Sequence, residues 1–155
     1  MKLYSLYILS AILNFYAIML MWGVSAGFAS YLPIASVISA ILLFVIATPL
    51  LVFHAKWGAI FGLVLSVVMI PFSVVYIIST IGDSRYHSAI SLLFNIPYLL
   101  PFAIAGYTGN ILIRKNYSSI KFPSAFISKI LLSATPLLLF AWYVLSVAKN
   151  ISFVH

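Results

Sequence analysis

The chain has 155 residues, of which 65% are hydrophobic and 6% are charged, and its mean hydropathy is +1.24. A soluble domain of this length needs a polar surface, with about a quarter of its residues charged, so the composition excludes one and predicts an integral membrane protein. The net charge of +7 would indicate nucleic acid in a soluble protein, but in a membrane protein it sets orientation, and we expect no nucleic-acid partner.

The apolar runs predict an all-α fold: a polytopic integral membrane protein, a bundle of about five transmembrane helices forming a single domain over residues 1–155. A run of about 20 apolar residues suffices to cross a hydrocarbon core of roughly 30 Å. The predicted spans are residues 3–29, 33–53, 57–81, 88–113 and 126–147. A signal peptide is the alternative for the first run, but the run is longer than the 7 to 15 or so apolar residues typical of such a peptide.

The first and third spans carry residues suited to helix packing. Asn14 lies near the middle of the first span, where an amide needs a partner on another helix. Small residues spaced by four let two backbones approach closely. This spacing recurs in two sets that we predict to lie at helix contacts: Gly23 with Gly27, and Gly58 with Gly62 and Ser66.

The stretch from residue 88 to 113 holds two prolines, two asparagines and two glycines, and no charged residue. Pro97, Pro101, Ala105 and Gly109 recur every four residues, which makes one face small or kinked. An aromatic rib of Phe94, Tyr98 and Phe102 runs beside this face. The pattern predicts a kinked helix packed on a partner, or a groove for a flat or elongated apolar ligand such as a quinone or lipid tail. Asn95 is a candidate donor to carbonyls that the prolines leave unpaired.

The basic residues indicate which way the chain crosses the membrane. With five spans, one side carries six of them, and the other carries Arg85 and Lys149; the six are Lys2, Lys56, Arg114, Lys115, Lys121 and Lys129. Positive charge favours the cytoplasm, so we expect a cytoplasmic N-terminus and an external C-terminus. A re-entrant hairpin at residues 88–113 is the alternative, but it would move four of the basic residues to the other side.

Four basic residues flank or lie in the loop before the fifth span: Arg114, Lys115, Lys121 and Lys129. Together with the apolar residues between them, they are candidates for binding anionic lipid headgroups, at about 1 kcal/mol per charge. The alternative is that they only determine topology.

The sequence offers no catalytic residue, metal site or cofactor site. It has no cysteine, and no span has an ionisable group at its centre. His54 is predicted at the inner boundary, while His87 and His155 share the outer side, which offers no convincing set of three ligands for a catalytic zinc. We therefore expect a structural or accessory subunit of a larger membrane complex, such as a respiratory or other energy-converting one, that is not an enzyme by itself. The alternatives are a carrier or pore for a small neutral or apolar solute, and a lipid- or quinone-binding protein. The expected partners are membrane lipids and other transmembrane subunits, in a hetero- or homo-oligomer.

Overall fold

A computed structural model describes residues 2–27, 31–82, 95–117, 120 and 122–152. This part of the chain is 91% helix and contains no strand, which confirms the all-α prediction. The helices in chain order are α1 (Lys2–Gly27), α2 (Tyr31–Leu42), a π-helical turn (Leu43–Ala47), α3 (Thr48–Phe53), α4 (Ala55–Gly82), α5 (Ile96–Ile113) and α6 (Phe126–Ser152). The second and third predicted spans begin two residues later than the helices that contain them.

Four helical segments in the described ranges are long and apolar enough to cross a membrane: Tyr31–Phe53, Ala55–Ile81, Ile96–Ile113 and Phe126–Leu145. In α1, the apolar stretch Lys2–Ile18 is shorter, although the whole helix has 26 residues. These lengths and compositions support a multi-pass membrane protein. Residues 88–94 of the fourth predicted span lie outside the described residues, so α5 accounts for the rest of it.

The second long helix, Tyr31–Phe53, consists of α2, the π-helical turn and α3, and its widened turn ends two residues before a proline. Leu43–Ala47 is π-helical, and both the backbone N–H and the hydroxyl of Thr48 donate to the Leu43 carbonyl, the hydroxyl at 2.7 Å. Pro49 follows, and a proline ring in a regular helix clashes with the carbonyl four residues earlier. The π turn relieves this crowding, so the helix continues to Phe53 across the proline.

A single residue connects α3 to α4. His54 leaves the helical conformation, with φ −133° and ψ 81°, and its carbonyl accepts a hydrogen bond from the Gly58 N–H at 2.9 Å. Because α4 begins at Ala55, the two helices form a tight hairpin. His54, Lys56 and Trp57 are exposed around this turn.

The helices pack side by side, and α4 makes the most extensive contacts, on α5, α2, α3 and the π turn. The most extensive interface joins α4 to α5, while α1 packs on α2, α5 and the π turn, and α6 packs on α3 and the π turn. Tyr4 contacts Leu132, and Phe15 contacts Tyr143, so residues 128 apart meet at two levels. The constant offset means that α1 and α6 run in the same direction.

The buried apolar side chains form two clusters along the bundle. One, near the N-terminus of α1 and the His54 turn, includes Leu3, Tyr7, Leu51, Ala59 and Ile111. The other, nearer the opposite end, consists of Ile18, Phe72, Tyr76 and Tyr98. Because α5 contributes Tyr98 to the second cluster and Ile111 to the first, it runs the length of the bundle.

Candidate functional site

Asn14 of α1 completes the backbone hydrogen bonding of α5. Its side chain is fully buried, and its amide nitrogen donates to the Pro97 carbonyl at 2.8 Å and to the Ser10 carbonyl at 2.9 Å. In a regular helix the Pro97 carbonyl would accept from the N–H of residue 101, but that residue is a proline and has none. Asn14 therefore supplies the donor that Pro101 removes. The sequence indicated Asn95 for such a role, whereas the donor to Pro97 in the structure is Asn14.

Tyr4 of α1 makes the corresponding contact to α6. Its hydroxyl donates to the Leu132 carbonyl at 2.7 Å. The helical donor for that carbonyl would be the N–H of residue 136, which is again a proline. In hydrocarbon an unpaired carbonyl costs several kcal/mol, so α1 pairs two backbone groups for which lipid offers no donor.

Tyr7 of α1 makes a hydrogen bond to the backbone of α4, although no proline removes the helical donor there. Its buried hydroxyl donates to the Gly58 carbonyl at 3.2 Å. A side chain at Gly62 would overlap the Tyr7 ring, and one at Gly58 would overlap the backbone of Leu51. The two glycines thus admit two different neighbours, α1 and α3. Ser66, which is fully buried, donates to the Gly62 carbonyl of its own helix at 2.7 Å.

The other predicted packing pair, Gly23 and Gly27, lies in the last part of α1, where the structure describes only the helical backbone. The packing role of this pair therefore stays a prediction.

The predicted ligand face of α5 is divided between the core and the surface. Tyr98 is fully buried and stacks on Tyr76 with ring centroids 3.9 Å apart, while Phe102 is 38% exposed. Pro101 and Asn95 are buried, Pro97, Ala105 and Gly109 are half-buried, and Phe94 lies outside the described residues. The aromatic rib therefore does not line a common groove over its described part.

An apolar groove lies instead between α1, the second long helix and α6. It has a volume of about 280 Å³ and is lined by side chains of three segments: Ala11, Ile12, Phe15 and Tyr16 of α1, Ala40, Ile41 and Phe44 of α2 and the π turn, and Leu139, Phe140, Trp142 and Tyr143 of α6. Six of its lining side chains are aromatic: Phe15, Tyr16, Phe44, Phe140, Trp142 and Tyr143. These segments lie near the middle of their helices, which places the groove near mid-depth in the bundle.

Two backbone distortions border the groove. The π turn carries Phe44, and Pro136 lies inside α6 one turn before the lining segment at residues 139–143. Sequence analysis missed this site because its three segments are far apart in the chain. The signal that could have indicated it is the occurrence of Pro49 and Pro136, each close to aromatic residues, on helices that pack together.

The predicted lipid-binding residues lie at the end of the bundle that holds the N-terminus of α1. Arg114 and Lys115 are exposed, Lys129 is half-buried, and Lys121 lies outside the described residues. The apolar residues between them turn inward: Ile120 is buried, and the ring of Phe122 lies against Tyr4. The loop is thus anchored to the bundle by its apolar side chains and presents charge to its surroundings.

Lys115 ends α5 in an unusual backbone conformation. Its φ is 51°, its N–H donates to the Leu112 carbonyl, and the Asn116 N–H donates to the Ile111 carbonyl. This pair of bonds is a Schellman motif, in which the residue at the position of Lys115 is usually glycine. The motif turns the chain sharply and leaves Arg114 and Lys115 exposed.

Among the described residues, no three His, Cys, Asp or Glu side chains are close enough to bind a metal ion together. His54 is exposed at the α3–α4 turn, while His87, His155 and Asp83 lie outside the described residues.

Neither a protein-family model, nor a curated protein, nor a solved structure matches this chain.

Proposed function

We propose that this protein is a non-catalytic structural or accessory subunit of a larger membrane complex, and that α5 presents the surface on which another transmembrane helix packs. In this proposal the chain crosses the membrane five times, and the end carrying Lys2, Lys56, Arg114 and Lys115 faces the cytoplasm.

The observation that carries the proposal is the outer face of α5. Ala103, Gly106 and Asn110 are exposed and lie on one side of this helix, and Gly109 is half-buried beside them. Among the described residues, no atom lies within 4 Å of a Cβ built at Gly106 or Gly109. The glycines of α4 are required by neighbours within the chain, whereas those of α5 have no such neighbour in the part of the chain that the structure describes.

Lipid alone gives these glycines no advantage. A glycine in a helix interior costs about 1 kcal/mol relative to alanine, and lipid chains accommodate alanine equally well. Small residues do favour the close approach of a second helix, which brings backbone atoms and polar side chains into contact. Asn110 adds an amide on the same face that can hydrogen-bond to such a partner.

The carrier or pore hypothesis has less support. The 280 Å³ groove is apolar but lies at the edge of the bundle between α1, α2 and α6, so it does not by itself supply a path across the bundle for a small neutral or apolar solute. Solute flux through the protein in liposomes is the measurement that would favour a carrier or pore.

Purification in mild detergent tests the accessory role. We expect the wild-type chain to bring down at least one other transmembrane chain, or a second copy of itself, in fixed stoichiometry. Gly106→Leu fills the outer face of α5 and should reduce this recovery by about fivefold to a hundredfold, since overpacking a contact costs about 1 to 3 kcal/mol.

The matched control is Ala141→Leu, which enlarges a small exposed residue on α6 and should leave recovery unchanged. A wild-type protein that purifies as a monodisperse monomer without any partner would contradict the proposal. So would undiminished recovery with Gly106→Leu.

A further inference from the structure

We infer that Arg114 and Lys115, at the end of α5, bind the phosphate of an anionic phospholipid headgroup. The inference depends on the chain crossing a membrane, but not on the accessory role or on which side of the membrane this end of the bundle faces.

The first argument is the backbone conformation of Lys115. Its φ of 51° lies in the left-handed region, which glycine enters freely and other residues enter at a cost. Residues other than glycine that are held in such conformations cluster at functional sites. Position 115 thus carries a charged side chain where the local backbone alone would favour glycine, which indicates that the charge has a use.

The second argument is that the end of α5 does not need these charges. Basic side chains near a helix C-terminus often pair its last carbonyls. Here backbone groups pair them instead, since the Arg114 N–H donates to the Asn110 carbonyl at 3.0 Å and the Lys115 N–H to the Leu112 carbonyl at 3.3 Å. Both basic side chains are exposed, so an external anion can reach them.

The third argument is that the chain supplies no acidic side chain at this end of the bundle. The start of α4 lies beside the end of α5, as Ala59 and Ile111 belong to one buried cluster. Because α4 has 28 residues and is about 40 Å long, its last residue, Gly82, lies at the opposite end. The single acidic side chain of the sequence is Asp83, which follows Gly82. The anion for Arg114 and Lys115 must therefore come from outside the chain.

The surrounding residues place the basic pair at headgroup depth. Trp57, near the start of α4, is 61% exposed, and tryptophan is favoured where lipid headgroups meet acyl chains. Lys56 beside it is exposed as well. The anion available at this depth is the lipid phosphate, to which arginine and lysine bind through charge-assisted hydrogen bonds. An anionic lipid is favoured over phosphatidylcholine, whose choline group offsets the charge of its phosphate.

Lipid retention by the purified protein tests this inference. The detergent-purified chain is mixed with equimolar phosphatidylglycerol and phosphatidylcholine that carry the same acyl chains, and native mass spectrometry counts the lipids bound. Each basic residue near a headgroup should strengthen anionic-lipid binding about fivefold, so we expect phosphatidylglycerol to be preferred by roughly ten- to thirtyfold. Equal retention of the two lipids would overturn the inference.

Substitutions at Lys115 separate its charge from its effect on folding. Glycine and asparagine both suit the left-handed backbone and carry no charge, so Lys115→Gly and Lys115→Asn should each lower the preference about fivefold. Lys115→Arg should keep it. In detergent without added lipid, Lys115→Gly should unfold at the same temperature as the wild type or higher, which shows that its loss of lipid does not come from misfolding. An unchanged preference in both neutral variants would refute the role of Lys115.

The matched control is Lys129→Gln, which removes one positive charge at the same end of the bundle. Lys129 lies on α6, whose main contacts are with α3 and the π turn, so this variant should leave the preference unchanged. An equal loss with Lys129→Gln would mean that the overall charge of this end attracts the lipid without a site at Arg114 and Lys115. Displacement of bound phosphatidylglycerol by millimolar inorganic phosphate would assign the pair to a soluble anion and overturn the lipid assignment.

Discussion

Two prolines and two polar side chains form matched pairs in this bundle. Pro101 removes the donor for the Pro97 carbonyl and Asn14 replaces it, while Pro136 removes the donor for the Leu132 carbonyl and Tyr4 replaces it. Both replacements come from α1. In water a solvent molecule could fill either gap, but inside a bilayer the donor must come from protein.

The Asn14 pair predicts a specific coupling between two substitutions. Asn14→Leu keeps the size of the side chain but leaves the Pro97 carbonyl unpaired, so it should lower the free energy of unfolding by about 1 to 2 kcal/mol. Pro101→Ala restores the backbone N–H, and in that background Asn14→Leu should cost much less. Detergent-to-SDS unfolding titrations of the four proteins give the coupling energy, and additive effects would mean that Asn14 does not serve this carbonyl.

The Tyr4 pair gives an independent case on α6. Tyr4→Phe removes only the hydroxyl and should destabilise the protein by about 1 kcal/mol. The cost should fall in the Pro136→Ala background, where the helix can pair the Leu132 carbonyl itself. An equal cost in both backgrounds would assign the effect of Tyr4→Phe to something other than this hydrogen bond.

Part of this pairing could be predicted from the sequence. An amide in the middle of an apolar span requires a protein partner, so Asn14 was expected to face another helix. Its partner could not be identified from the sequence, because Pro97 is 83 residues away from Asn14. Asn95 lies only two residues before Pro97, so it was the more obvious candidate donor. Nothing in the sequence connects Tyr4 to a carbonyl 128 residues later.

At the scale of elements, glycine positions distinguish contacts within the chain from open surfaces. The spacing of Gly58 and Gly62 indicated a small face, but the two residues meet different helices. The same spacing in α5 leads to Gly109, where an added Cβ would meet no atom of the described residues within 4 Å. Because these helices are apolar on all sides, periodicity shows which residues share a face but not which face is inside.

Alanine substitution of four glycines tests this distinction. Gly58→Ala should be the most destabilising, since the new methyl group meets the backbone of Leu51, and the cost should be about 1 to 3 kcal/mol or more. Gly62→Ala should cost less, because the far end of the Tyr7 side chain can shift. Gly106→Ala and Gly109→Ala should stabilise the isolated chain by up to about 1 kcal/mol each. Thermal unfolding in detergent ranks the four, and destabilisation at Gly106 in the isolated chain would contradict its exposed position.

The π turn and the groove lay beyond sequence reasoning for a related reason. Pro49 lies in the last turns of the second predicted span, where a proline kink, a break and a π turn are all compatible with the same residues. The aromatic residues of α5 suggested a ligand groove, yet Tyr98 stacks on Tyr76 in the core. The apolar groove lies where α1 and α6 meet beside α2 and the π turn. That meeting of helices depends on the arrangement of the whole bundle, which the sequence pattern of one helix does not indicate.

At the scale of the molecule, helix directions bear on the topology. α1 and α6 run in the same direction, and α5 extends from the Tyr76 level to the Leu3 level, opposite to α1. An α5 that runs the full length of the bundle is the arrangement expected for a crossing helix and not for a re-entrant hairpin. The charge distribution in the sequence supports the same alternation, since six of eight basic residues then share a side.

The most direct test of this arrangement is the accessibility of single cysteines at positions 84 and 118, which flank α5 in the chain. The protein has no native cysteine, so Ser84→Cys and Ser118→Cys each introduce a unique thiol. With a membrane-impermeant maleimide in intact cells, we expect Ser84→Cys to be labelled from outside and Ser118→Cys only after the membrane is permeabilised. Labelling of both thiols from the same side would contradict a bundle in which α5 crosses the membrane.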